Sequence, residues 1–207
     1  MPDFWVSVKT APTSYPVTRT EAKAHCVVPT DVSADDTLID NIIAAATNYT
    51  QKAMKRQLML ASLYLYMNRF PYSCESGPVF DGTTIILPRP PLSSVTAITY
   101  LDVNGASQTW SSTYYRVSAG ADPGRIALAY NQSYPSIRDI QESIRIEYIA
   151  GYASASAVPQ EAKQAILLMC GNMYRHREPV ITGTITAELP LSYWATVRSM
   201  HSGAFYG

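Results

Sequence analysis

Val95-Thr96-Ala97-Ile98-Thr99-Tyr100-Leu101-Asp102-Val103-Asn104-Gly105-Ala106-Ser107-Gln108-Thr109-Trp110 is the stretch that decides the architecture. β-branched and aromatic residues dominate Val95 to Asp102 and recur in Ser107 to Trp110, the composition of strands. Between the two runs lies Asn104-Gly105, a hairpin signal because both residues tolerate positive φ. The same texture extends outward through Leu58 to Phe70, Thr84 to Leu87, Tyr114 to Val117, Arg125 to Ala129 and Ser143 to Ile149, with proline, glycine and asparagine between the runs. These segments predict an antiparallel sheet over residues 57–150.

Helical patterns flank that sheet on both sides. Thr18-Arg19-Thr20-Glu21 is a capping box, a threonine oxygen and a glutamate three residues on that each satisfy an orphan backbone N–H. It predicts a short helix through Cys26, and Pro29 to Asp35 reads as a turn. Leu38, Ile42, Ala45, Tyr49 and Ala53, widened by Ile39, Ile43 and Ala46, recur at helical spacing, with Asp35 or Asp36 as cap and a helix end near Arg56. Beyond Val158, Pro159 suits a helix start because its missing N–H would be unpaired there. From Ala165 to Cys170 that helix is apolar on nearly every side, which marks it as central. Pro190 can start a last helix through Met200. The fold class is therefore α+β: a small helical bundle from residues 18–56 and 158–200, with an antiparallel β-sheet insertion between its helices. Residues 1–17, with prolines 2, 12 and 16, read as an extended N-terminal arm, and residues 201–207 as a mobile tail.

The 16 basic and 16 acidic residues cancel. A tight nucleic-acid binder would carry a basic excess, because phosphate neutralisation supplies most of that affinity. Cys26, Cys74 and Cys170 are odd in number and widely spaced, which fits a reducing compartment. No basic region followed by an apolar stretch opens the chain, and the longest apolar run, Ala165 to Gly171, is too short to span a bilayer, so no membrane association is expected. The 15 tyrosines suit protein interfaces or half-buried sheet positions.

Candidates for chemistry have plain structural alternatives. His25 and Cys26 are adjacent, so on a helix their side chains diverge by about 100° and do not share a small ion. His176 and His201 have no nearby partners in the sequence. Asp31, Asp35, Asp36 and Asp40 lack the glycine and terminal glutamate of a calcium loop, and Asp36 and Asp40 suit a helix start. Cys170 lies in an apolar helix, where a thiol is inert. Arg175, His176 and Arg177 could touch DNA or serve a helix C-terminus. Leu87 to Leu92, with Pro88, Pro90 and Pro91, reads as a rigid connector, the alternative being a polyproline ligand. No catalytic, metal or cofactor-binding residue is expected.

Across residues 17–178 the chain resembles the head-tail connector (adaptor, head-completion) proteins of tailed phages. The resemblance rests on Thr18 to Ala24 with Asp36 to Ala46, Leu87 to Leu92 leading into Val95 and Ile98-Thr99-Tyr100, and Asp102 to Gly105. It continues through Tyr115-Arg116-Val117, Pro123 to Ile126, Ile149 to Tyr152, and Val158-Pro159 with Ala162 to Leu168. The resemblance implies a non-enzymatic virion protein at the head-tail interface, made in the bacterial host cytoplasm. It implies self-association into a ring, usually dodecameric, beneath the portal protein and around the DNA channel. Its further partners would be a tail or head-completion (stopper) protein and, transiently and without specificity, the passing DNA. The arm containing Trp5 and the segment 182–207 match no pattern of that family.

Within this reading Ile166 and Met169 are expected between neighbouring subunits, where burial of the apolar helix would close the ring. Ile181 and Ile185, whose β-branched surroundings suit strand addition, are expected at the portal with Leu191, Tyr193 and Trp194. The alternative for the last helix is that it folds back on its own bundle. Two rival functions remain open at this level: a DNA-binding packaging factor, and a glycan-binding or glycan-cleaving virion protein whose carboxylates would come from Asp81, Asp102, Asp122, Asp139, Glu142 and Glu147.

Overall fold

A computed structural model of the chain describes residues 4–71, 76–77, 79–176 and 191–201. The class is α+β, and the described residues fall into a sheet unit, 4–12 with 55–152, and a helical unit, 13–54 with 153–176 and 191–201. The sheet unit contains β1 (Phe4–Thr10), β2 (Ala61–Met67), β3 (Ser76–Gly77), β4 (Phe80–Asp81) and β5 (Thr84–Ile86), then β6 (Leu92–Leu101), β7 (Ser107–Thr109), β8 (Tyr115–Ser118), β9 (Arg125–Leu128) and β10 (Ile144–Ala150). The helical unit contains α1 (Arg19–Cys26), α2 (Asp36–Met54), α3 (Gln160–Arg175) and α4 (Leu191–Met200).

Where one sheet was expected the described residues form two, each of five strands, in the orders β1-β2-β10-β6-β7 and β3-β4-β5-β9-β8. Every strand pairing is antiparallel. Alternation along β2 buries Ala61, Leu63, Leu65 and Met67, and along β10 it buries Ile144, Ile146, Tyr148 and Ala150. These residues join Phe80, Ile85, Leu87, Ile98 and Ile126 in one apolar core shared by the two sheets. Phe4–Thr10, expected as part of an extended arm, is the edge strand β1, with Phe4 opposite Met67 and Val6 opposite Leu65. Its Phe4 and Val6 pack against the shared core, which is the physical reason it pairs instead of hanging free.

The hairpin of residues 95–110 forms, with one correction to its turn: Gly105 alone has positive φ, at 86°. The Asp102 carboxylate holds the turn. Its Oδ1 accepts the N–H groups of Asn104 at 2.9 Å and Ala106 at 3.0 Å, and its Oδ2 accepts from the Gln108 amide at 3.0 Å. These bonds hold the Asp102 carboxyl below the usual carboxylate range.

The outward face of the first sheet absorbs several tyrosines. Trp5 stacks on Tyr66 with 5.2 Å between centroids, and Lys9 and Arg145 sit 5.4 and 5.2 Å from the centre of the Tyr64 ring. On the core side Tyr134 stacks on Phe70 at 4.6 Å and lies 5.4 Å from Trp110. Half-buried strand positions account for Tyr64, Tyr66, Tyr100 and Tyr115, whereas Tyr49, Tyr174 and Tyr193 lie in helices.

The segment Leu87 to Leu92 is a connector knitted into the unit by its backbone. Leu87 N–H donates to Gly124 O at 2.9 Å, Gln57 N–H to Pro90 O at 3.0 Å, and Gly151 N–H to Pro91 O at 2.9 Å. The buried Tyr148 hydroxyl donates to Pro88 O at 2.9 Å. Gly151, at φ +108°, passes so close to β2's lead-in that a Cβ there would stand 2.4 Å from Met59 O. Replacing Gly151 by alanine combines backbone strain with overpacking and should cost about 2–5 kcal/mol. Urea denaturation of the full chain followed by tyrosine and tryptophan fluorescence checks this, and an unchanged midpoint would contradict the close approach.

Candidate functional site

The helical unit is organised by its charged residues as much as by its apolar ones. The capping box at the start of α1 is complete: Glu21 N–H donates to Thr18 Oγ1 at 3.2 Å, and Thr18 N–H donates to Glu21 Oε2 at 2.7 Å. Lys23, although in a short surface helix, is buried. Its ammonium donates to Val32 O at 2.7 Å and lies 2.5 Å from Asp36 Oδ1, so it clamps the α1–α2 loop against the start of α2. Arg19 reaches over to Asp36 at 3.0 Å and also binds Asp40. Asp35 accepts from the Tyr174 hydroxyl at 2.6 Å and so ties α2 to α3. The acidic cluster thus serves interhelix bonding in addition to the helix start.

Two of the expected interface residues lie inside this unit. Ile166 and Met169 are buried, together with Ala162, Ala165 and Cys170, by α1, α2 and α4 packing on α3. A side chain already enclosed by its own chain has no surface left for a neighbouring subunit, so both are core positions. Tyr193 is also fully buried, its hydroxyl 3.4 Å from Thr50 Oγ1, and Val197 is buried beside it. The last helix therefore folds back on its own bundle, the alternative that the sequence left open. Trp194 is half-buried, edge-on to Tyr193, and Leu191 is 84 % exposed. Ile181, Ile185 and the tail beyond His201 lie outside the described residues, as does Cys74.

Other apolar surface lies at positions that the sequence pattern does not single out. Val27, the residue that ends α1, is 85 % exposed, and Val32 and Tyr49 are each 41 % exposed. The signal for Val27 was the valine itself, standing where a helix end usually carries glycine or asparagine.

The chemical candidates have structural duties. The Cys170 thiol is pushed up to about 12 by burial, and burial also raises Cys26. His25 packs against α3 at Gly171, and His176 bonds the Asn172 carbonyl at 3.1 Å. Of the carboxylates considered for a glycan cleft, Asp81 pairs with Arg125 at 2.7 Å, Asp122 with Arg56 at 2.5 Å and Glu147 with Lys9 at 2.6 Å. Among the described residues no group of three or more His, Cys, Asp or Glu side chains could hold a metal ion. No described helix is long and apolar enough to cross a membrane.

No protein-family model matches the sequence, and no curated protein matches it significantly. Solved structures do. The fold is similar to that of a chain in "Neck of empty GTA particle computed with C6 symmetry", with TM-score 0.72 and 20 % identity over 96 % of this chain and 95 % of that one. A chain in "Neck of native GTA particle computed with C12 symmetry" gives TM-score 0.72 at 18 % identity, again over 96 % and 95 %. One in "Virion of native gene transfer agent (GTA) particle" gives 0.69 at 18 % identity over 95 % of each chain. The likeness therefore runs through both units.

Two measurements test the helical unit. Replacing Ile166 by alanine should cost about 2–5 kcal/mol of fold stability, as for a closely packed core residue. Normal stability of this variant in thermal denaturation would return Ile166 to the surface. The second concerns acid. The Lys23 and Arg19 side chains hold Asp36 below the ordinary carboxylate range, Arg19 does the same to Asp40, and the Thr18 backbone and hydroxyl do so to Glu21. A carboxyl whose folded value is depressed contributes stability that is present above its unfolded value, near ~4, and is lost as pH falls through the folded value. The melting temperature read at 222 nm should therefore fall steeply below about pH 4, and less steeply in Asp36→Asn. A melting temperature constant from pH 6 to pH 3 would remove these pairs from the account.

Proposed function

We propose that this chain is a non-enzymatic neck subunit of a tailed-phage-like particle, an adaptor that forms a ring beneath the portal protein and encircles the DNA channel. The observation that carries this reading is the end-to-end likeness of the fold to neck chains of GTA particles, over 96 % of this chain and 95 % of theirs. A shared small motif could serve many functions, whereas an entire two-unit architecture is a stronger pointer. The sequence resemblance to head-tail connectors points the same way and rests on separate evidence. The symmetries of the two neck structures, C6 and C12, support a ring of repeated copies.

In this role the work is mechanical. Portal and stopper proteins would contact opposite faces of the ring, and passing DNA would meet it without specificity, in keeping with a chain of zero formal net charge. The ion pairs of Asp36, Asp81, Asp122 and Glu147 support a structural use of the carboxylates in place of acid-base chemistry.

Negative-stain electron microscopy and mass photometry of the purified 22.8 kDa chain test the proposal. Annular particles whose mass is a multiple of the chain are expected, with twelve copies as the family resemblance implies. A species that stays monomeric at all concentrations, or a specific turnover abolished by one point substitution, would overturn it.

A further inference from the structure

The end of α1 carries a cost that the subunit's own fold does not explain. Val27 adopts the left-handed conformation, φ 59° and ψ 38°, where a β-branched residue is strained and glycine is the usual choice. Its side chain projects into solvent and so contributes nothing to the chain's core. The loop that follows is rigid. Val28 N–H donates to Lys23 O at 2.9 Å, and the buried Lys23 ammonium holds Val32 O at 2.7 Å. Val27, Pro29 and Val32 thus form an exposed apolar knob whose ordering is complete before any partner arrives, which favours binding.

A second apolar surface lies on the same unit, around Tyr193. Tyr49 stands 6.1 Å from the Tyr193 ring and Trp194 5.3 Å, and Leu191 is exposed at the start of α4. Tyr49 lies about 20 Å along α2 from Asp36, next to the knob, so the two surfaces are well separated. Their charges are complementary: exposed Asp31 sits within the knob, while exposed Lys52, one turn beyond Tyr49, and Arg198 flank the second surface.

We propose that the Val27–Val32 loop of one copy docks on the Tyr49, Leu191 and Trp194 surface of the next copy, and that this is the repeating contact of the ring. A contact between two different patches of identical chains is heterologous and closes into a ring when the rotation permits. The inference rests on the ring reading above, and it names the second copy because this chain supplies both halves of the contact.

The test uses the full chain and measures association by mass photometry across a concentration series. Val27→Asn relieves the strain and removes the apolar tip. It should raise the melting temperature of the subunit by about 2–4 °C while weakening association by roughly tenfold or more. Val27→Asp and Leu191→Asp should each be monomeric alone, yet a mixture of the two should form dimers, because one intact knob then meets one intact acceptor. Undiminished assembly of Val27→Asn, a lowered melting temperature, or a mixture without dimers would each overturn the docking. A wild-type chain that never associates would instead overturn the ring reading itself.

Discussion

Everything in the sheet unit depends on the close approach of two backbones, where the chain enters the sheets and where it leaves them. Leu60 N–H donates to Tyr152 O at 3.2 Å, Met59 and Tyr152 form a parallel bridge, and Gly151 lies against Met59 with no room for a side chain. Because Ala61 stands opposite Ala150, the strands β2 and β10 that begin and end the insertion are neighbours. An insertion nearly a hundred residues long can interrupt a helical sequence only if its ends return to one place. The glycine makes that return possible, and the proline connector, bonded through Pro90 to Gln57 and through Pro91 to Gly151, fixes it.

Local signals were legible where short-range chemistry decides the outcome. The capping box at Thr18 and Glu21 needs only three residues of spacing, and it forms as the spacing dictates. The strand runs at 58–70, 84–87, 95–102 and 143–149 were visible as composition. Their division into two sheets was not, because period-two alternation tells which side chains meet a core but not which strands share a ladder. Strand β1 was hidden for a related reason. Its two inward positions, Phe4 and Val6, are too few to establish a period, and its partner β2 lies more than fifty residues away in sequence.

The candidate surfaces were less legible than the fold. The apolar character of α3 correctly marked Ile166 and Met169 for burial, but composition cannot distinguish cover by the chain's own helices from cover by a neighbour. Lys23 was invisible as a structural element, because a lysine in a short amphipathic helix normally keeps its ammonium in water. Only the loop carbonyls and Asp36 show why it is buried. At 18 to 20 % identity, what the chain shares with the neck chains is the fold. Such a backbone plan is set by the pattern of burial and by the few turns that accept one residue type.

Among the described residues the helical and sheet units are joined by three covalent crossings, at 12–13, 54–55 and 152–153, instead of the single linker that connects consecutive domains. A load passing from one unit to the other is shared among three backbones, and a protease cut at one crossing leaves the units on one polypeptide through the others. Such redundancy keeps the two units from being lost from one another by a single break.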